Sequence, residues 1–147
     1  MKTAAITSSR NADWLELRMA LWPAASAVEH QADMDDQVSS PDRYAQFLVR
    51  ADSGQALGLA EASIRPDYVN GTDSSPVAFL EGLYVIPAAR QQGAARALVA
   101  AVREWALDRG CKELASDTGL DNVVSQAAHS RLGFKETERV VYFSMPL

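Results

Sequence analysis

Cysteine is close to missing from this chain. Cys111 stands alone among 147 residues, which excludes an internal disulfide framework and any cysteine-built zinc site. Histidine is nearly as scarce: His30 and His129 lie far apart without metal-ligand spacing, so no metal is expected. No run of about eighteen apolar residues occurs, and nothing reads as crossing a bilayer. Met1 to Thr7 carries one positive charge and too short an apolar stretch for a signal peptide, so the expected address is the cytoplasm. Basic residues are outnumbered, 14 Lys and Arg against 19 Asp and Glu, for a formal net charge of −5. Such a surface repels nucleic acid and anionic membranes on average and favours a cationic small molecule. Glycine and proline are few (8 and 6), and 48% of residues are hydrophobic, which is neither a disordered nor a collagen-like composition. The length suits a single domain over residues 1–147.

The hydrophobic pattern supplies the elements. Lys2 to Thr7 predicts a short strand, and Asn11 to Trp22 repeats apolar residues at Trp14, Leu17 and Leu21, a helical period closed by Pro23. Glu29 to Val38 predicts a second helix, rich in acid and poor in apolar residues. Phe47 to Val49 and Ala56 to Ile64 read as strands joined at Asp52-Ser53-Gly54, and Val77 to Ile86 as a strongly apolar strand. A long helix, Ala94 to Asp108, is stopped by Gly110. Then come a strand at Glu113 to Ser116, a helix at Asn122 to Leu132, and a final strand at Arg139 to Met145. The order predicts an α/β protein, a mixed α+β sandwich with a central sheet and helices on both faces.

The segment Leu80 to Arg96 carries the first chemical signal. A buried strand runs into a turn of Arg, Gln and Gly, Arg90-Gln91-Gln92-Gly93, and then into a helix. That geometry gathers free backbone N–H groups and the positive end of a helix dipole at one point, which suits a pyrophosphate. It is neither a Walker A loop nor a dinucleotide fingerprint, because the required spacings are absent. A connection without any ligand is the alternative reading.

Arg90-Gln91-Gln92-Gly93-Ala94-Ala95 resembles the Q/R-x-x-G-x-G/A signature of the GNAT N-acetyltransferases, and Asn122 to Gly133-Phe134 resembles their second coenzyme segment. Further blocks, among them Leu21-Trp22-Pro23, Ile64 to Gly71, Phe79 to Gly82, Ala115 to Thr118 and Gly133 to Val140, are similar to the aminoglycoside 6′-N-acetyltransferases within that family. The resemblance implies a bent GNAT sheet whose two middle parallel strands splay around the pantetheine arm of acetyl-CoA. It implies that the backbone of Leu83, Tyr84 and Val85 pairs with pantetheine. The amides of Gln91, Gln92, Gly93, Ala94, Ala95 and Arg96 would hold the pyrophosphate, and Asn122 would bond the pantetheine arm. It also implies a homodimer. The apolar Arg139 to Met145 segment either joins that interface or completes the monomer's own sheet.

Three acids stand out. Glu81 is the one charge in Val77 to Ile86, so it is protonated, paired to an Arg, or facing a wet cleft. Asp117 follows a strand, where a turn or cap role is ordinary, and Glu138 sits in a polar alternation that reads as solvated. The resemblance implies that all three converge on the drug, with Trp22 and Tyr68 as apolar walls. Carboxylates suit a polyamine sugar through charge-assisted hydrogen bonds, and an aromatic face covers a ring or a cation. Attack on a thioester needs a neutral amine, so a base is required: Asp117 first, Glu81 second. Backbone amides near Leu83 would polarise the thioester carbonyl. Many GNAT enzymes place a Tyr four residues before the Gly-Phe, to protonate the departing thiolate. This chain has His129 there, read either as a replacement acid or as a coenzyme-contacting or packing residue. Cys111 has no companion histidine in sequence, and direct transfer in a ternary complex fits better than an acetyl-cysteine. The rival readings are an acetyltransferase for another small amine or a peptide N-terminus, and a non-catalytic acyl-CoA-binding module.

Overall fold

A computed structural model describes residues 1–147. Five strands form one sheet in chain order: β1 (Lys2–Ala5), β2 (Tyr44–Arg50), β3 (Ala56–Arg65), β4 (Val77–Val85) and β5 (Leu114–Ala115). Neighbours are antiparallel except β4 and β5, which run parallel. Helices α1 (Ala12–Leu21) and α2 (Ala27–Ser39) lie between β1 and β2. Helix α3 (Ala94–Asp108) connects β4 to β5, and α4 (Val123–Arg131) follows β5. The architecture is the mixed α/β one that the pattern predicts.

Strand alternation divides the core in two. Val49, Ala60, Ala62, Leu80 and Val85 pack with Leu98, Val99 and Val102 of α3 on one face. Leu48 and Leu59 pack with Ile6, Trp14 and Leu17, and with Met34 of α2, on the other. Neighbouring residues go to opposite faces because successive Cβ atoms alternate across a strand. Helix α3 has the predicted bounds: its apolar stripe gives the period, Gly93 begins it in a left-handed conformation, and the turn after Asp108 closes it. α1 is capped by Asn11, whose side chain accepts from the Trp14 amide at 3.0 Å, and α2 by Ser26, which accepts from Glu29.

The register of β3 on β4 slips in the middle. Glu61 lies opposite Gly82 and Ala62 opposite Leu80, so Glu81 is the extra residue of a β-bulge. Two acids of adjacent strands therefore go to different places. Glu61 turns into the helix-covered layer and Glu81 turns out.

Glu61 is 2% exposed and holds a closed polar network. Its Oε1 accepts from Trp14 Nε1 at 2.7 Å and Arg18 Nη1 at 2.6 Å, and its Oε2 from Arg18 Nη1 at 2.7 Å and Gln37 Nε2 at 3.1 Å. Arg18 also donates from Nε to His30 Nδ1 at 3.2 Å and from Nη2 to Asp33 at 3.0 Å. Because His30 Nδ1 accepts, Nε2 carries the proton and donates to the Trp22 carbonyl at 3.0 Å. The Arg18 guanidinium lies 4.9 Å from the centre of the Trp22 ring. The indole is pressed onto β4, its Cη2 standing 2.5 Å from where a Cβ of Gly82 would be, so only glycine fits there. No buried side-chain polar atom lacks a partner.

The segment Arg139 to Met145 does not form the predicted strand. From Lys135 to Leu147 the backbone makes no backbone–backbone hydrogen bond, and Val141, Tyr142 and Phe143 are 68%, 80% and 93% exposed. A strand exists only when a neighbour supplies a ladder, and β5, two residues long, offers none on its outer edge. No residue after Cys111 is buried. The other elements differ from their predicted bounds by one to three residues at an end. β5 shrinks to Leu114–Ala115 because β4 leaves it after two pairs.

Glu61→Ala leaves Arg18 buried without its main counter-charge and Trp14 without an acceptor. Its expected cost is about 3–5 kcal/mol in urea unfolding. A loss below about 1 kcal/mol would show that the network is not structural.

Candidate active site

The site begins where the two parallel strands part. Ala78 pairs with Leu114 and Phe79 with Ala115, and there the ladder ends. Leu83, Tyr84 and Val85 are paired on one edge only, with Ala60, Leu59 and Gly58 of β3. Their other edge is open toward the gap, which is the template an extended, amide-bearing ligand needs.

At the end of that edge the chain turns through Pro87–Ala89 into Arg90-Gln91-Gln92-Gly93. Arg90 Nε holds the Val85 carbonyl at 3.0 Å, and Gln92 Nε2 the Ala88 carbonyl at 3.0 Å. Gln91 and Gly93 both have positive φ, 61° and 92°. A Cβ on Gly93 would meet nothing within 4 Å, so the requirement for glycine there is conformational, and the space above it is free for a ligand. The six amides from Gln91 to Arg96 donate to no acceptor in the chain. No acid occupies the first turn of α3, so no internal anion quenches its positive end. These residues fit a pyrophosphate group joined to an extended amide chain.

Beside the gap lies an open cavity of about 1220 Å³. β3 contributes Ser63 and Arg65, and β4 contributes Phe79 and Glu81. Tyr68 comes from the β3–β4 loop, Ser116 and Asp117 from the chain after β5, His129 from α4, and Glu138 from the C-terminal segment. Five of the residues singled out in the sequence thus face one space: Tyr68, Glu81, Asp117, His129 and Glu138. Thr137 packs against Gly71 and brings the C-terminal segment to the rim. Trp22 is not among the lining residues; it sits against Gly82, next to Glu81 in β4.

The three acids are not equivalent. Glu81 accepts from Ser63 Oγ at 2.6 Å, from Arg65 Nε at 3.1 Å and from Arg65 Nη2 at 2.9 Å to each oxygen. Of the sequence alternatives it takes the ion pair, at the edge of a wet cleft. Asp117 and Glu138 make no hydrogen bond or ion pair with any side chain. Sequence reasoning missed Arg65 and Ser63. Their signal was the period of two that places Ser63 and Arg65 on one face of β3, as Phe79 and Glu81 stand on β4.

His129 is held by its own helix: Nδ1 lies 2.7 Å from the Ser125 carbonyl, which only accepts, so Nδ1 carries a proton. Nε2 meets Ser116 Oγ at 2.8 Å, and that hydroxyl is 3.4 Å from the Leu80 carbonyl, across the gap between the strands. The ring meets Phe134 edge-on at 5.3 Å between centroids. Asn122 spends its Oδ1 on capping α4 through the Ser125 amide at 3.0 Å, which leaves only its Nδ2 to donate. Cys111 is buried, and that burial pushes its thiol above the ordinary value, against a smaller opposing effect of a hydrogen bond from the Ala78 backbone. A buried neutral thiol is no nucleophile.

Glu113, on the cavity wall, tethers the preceding loop. Ser74 Oγ and then the Asp73 amide donate to its carboxylate and hold it below the usual carboxylate range. A depressed acid stabilises the fold above its unfolded value, about 4.3 for Glu, and the contribution is lost as pH falls through the lower folded value. The Asp73 amide proton is therefore expected to shift in NMR with a midpoint below the ordinary carboxylate value. A titration complete above pH 5, or none at all, contradicts the tether.

The chain matches the model of the acetyltransferase (GNAT) family over residues 11–134. It is 51% identical over 130 residues to the aminoglycoside N(6')-acetyltransferase type 1 of Salmonella typhimurium, covering 88% of each chain. It is 52% identical over 134 residues to the protein of that name from Serratia marcescens, covering 91% of each. A solved structure of AAC(6')-Iy in complex with the bisubstrate analog CoA-S-monomethyl-acetylneamine superposes with a TM-score of 0.93 at 45% identity, covering 99% of this chain and 98% of that one. The apo aminoglycoside antibiotic 6'-N-acetyltransferase AAC(6')-IG from Acinetobacter haemolyticus gives 0.93 at 46%, covering 100% and 99%. Agreement at this level, in sequence over most of the length and in backbone over nearly all of it, has one meaning: the chain belongs to the acetyltransferase (GNAT) family.

Proposed function

We propose that this protein is an aminoglycoside 6′-N-acetyltransferase that moves acetyl from acetyl-CoA to the drug's 6′-amine by direct attack in a ternary complex, and so confers resistance. One observation carries the reading. Two carboxylates that no cation in the chain satisfies, Asp117 and Glu138, face a cavity beside an open strand edge and a cradle of free amides. The reading is supported by relatives of that name at 51% and 52% identity.

Bound acetyl-CoA supplies an activated acetyl thioester. Gln91 to Arg96 hold its pyrophosphate with their amides, and the edge of Leu83, Tyr84 and Val85 pairs with the pantetheine arm. Asn122 donates to that arm from Nδ2. Asp117 and Glu138 bind ammonium and hydroxyl groups of the sugar, Tyr68 covers a ring, and Trp22 buttresses β4 where Glu81 leaves the strand. Asp117, free of partners, takes the proton of the attacking amine directly or through water, and Glu81 stands second. The proton that the amine gives up to Asp117 is the one that the departing thiolate needs, and the Ser116 hydroxyl, held at 2.8 Å by His129 Nε2, stands at the strand gap to pass it on. Orientation of the two substrates contributes as much as either acid.

One domain over residues 1–147, in the cytoplasm, completes the reading, with neither nucleic acid nor membrane as partner. No helix is long and apolar enough to cross a membrane. The exposed Val141, Tyr142 and Phe143 lie on a segment whose backbone has no ladder partner, and a second copy of the chain supplies one in a homodimer.

Free-thiol release from acetyl-CoA with kanamycin or tobramycin tests the activity. Asp117→Ala is expected to lower kcat by about 10²–10⁴-fold with CoA affinity nearly intact, and Glu138→Ala to raise the drug's KM. Wild-type turnover by Asp117→Ala removes its role as base, and thiol release from no amine at all refutes the activity. Sedimentation is expected to give a dimer for the full chain and a monomer after removal of residues 139–147. A monomeric full chain at micromolar concentration overturns the dimer.

A further inference from the structure

Glu81 is the acid nearest the middle of β4, yet its charge is already answered. Arg65 grips both carboxylate oxygens from the neighbouring strand, with Nη2 at 2.9 Å from each and Nε at 3.1 Å from Oε1. The guanidinium is itself pinned, its Cζ 3.5 Å from the centre of the Phe79 ring. The pair is on the cavity surface, with Arg65 and Glu81 side chains 40% and 33% exposed.

Acceptor capacity decides what Glu81 can still do. A carboxylate has about four lone-pair sites over two oxygens. Oε1 accepts three donors, from Ser63 and twice from Arg65, and is full. Oε2 accepts one, from Arg65 Nη2, and has room. An ammonium approaching Oε2 meets a guanidinium on the same oxygen. A neutral amine or a hydroxyl meets no such penalty, because its N–H or O–H bond needs only the lone pair. Asp117 and Glu138, without partners, remain true counter-ions for the other ammonium groups.

We propose that Arg65 is a specificity-determining residue: by neutralising Glu81 it turns that carboxylate into a hydrogen-bond acceptor for an uncharged amine, so that the reacting nitrogen is held in its nucleophilic state. This rests on the reading that Glu81 faces the bound drug. Arg65 selects the protonation state of the group at Oε2, while the unpaired acids select the polycationic sugar.

The test compares neomycin, which carries a 6′-amine, with paromomycin, which carries a hydroxyl there, by calorimetric Kd at neutral pH, together with kcat for neomycin. Arg65→Gln keeps a planar group over Phe79 but removes the charge. It is expected to tighten neomycin by about three- to tenfold, to change paromomycin less than about twofold, and to lower kcat. Arg65→Lys restores the charge without the two-pronged, ring-stacked geometry and is expected to fall between wild type and Arg65→Gln in neomycin Kd and in kcat; it also serves if the Gln variant does not fold. Neomycin weakened by Arg65→Gln, or both ligands changed equally, overturns the proposal, as does Arg65→Lys behaving like Arg65→Gln. Glu81→Gln separates the two levels. It leaves the Arg65 charge unanswered and is expected to weaken neomycin about tenfold. If Glu81→Gln leaves the neomycin Kd unchanged, the placement of Glu81 against the drug fails, and the Arg65 proposal with it.

Discussion

The parting of β4 from β5 after two ladder pairs is the constraint on which the rest of the molecule turns. Parallel strands ordinarily exchange every backbone bond, and a strand with one bare edge inside a fold is costly unless something takes its place. Here the strand that carries the bare edge runs on through Pro87–Ala89 to the free amides of Gln91 to Arg96. The bulge at Glu81 lies on the same strand, between the last ladder pair and the open stretch. Separation of the strands, rotation of an acid out of the sheet and entry into α3 are thus consecutive events between Phe79 and Ala94.

The two acids on either side of the register slip show how burial assigns roles to identical chemistry. Glu61 is wrapped by Trp14, Arg18 and Gln37, and its charge is consumed in holding α1 and α2 to the sheet. Its influence on the site is indirect: the same Arg18 lies over the Trp22 ring, and His30 holds the Trp22 carbonyl. Glu81, one strand away, has its partner at the surface, where the pair remains open to exchange with solvent and ligand.

Much of this was legible in the sequence. The 3.6-residue stripe of α3 and the Gly93 and Gly110 signals give its ends without error, because each is local. Glu81 stands out as the one charge of its strand, whereas Asp117 and Glu138 are singled out only by the family resemblance; all three face one cavity. What local reading missed depends on long-range pairing. Glu61 is the one acid of an apolar strand just as Glu81 is, but its partner Arg18 lies 43 positions away. Gly82, a glycine in a strand interior, was the available sign of the bulge. The apolar alternation of Val140 to Phe143 reads as a strand, yet within one chain nothing pairs with it, since a strand is a property of two segments.

No residue from Lys112 to Leu147 is buried, whereas β3 and β4 are the most enclosed strands of the sheet. The cavity therefore has one stiff wall and one compliant wall. Glu81, Arg65 and the open edge belong to the stiff side; Asp117, His129 and Glu138 belong to the compliant one. Regions with little buried apolar surface open at a small fraction of the global unfolding free energy. The side that carries Asp117, His129 and Glu138 can then yield to ligands of different size, while Glu81 and Arg65 keep their places.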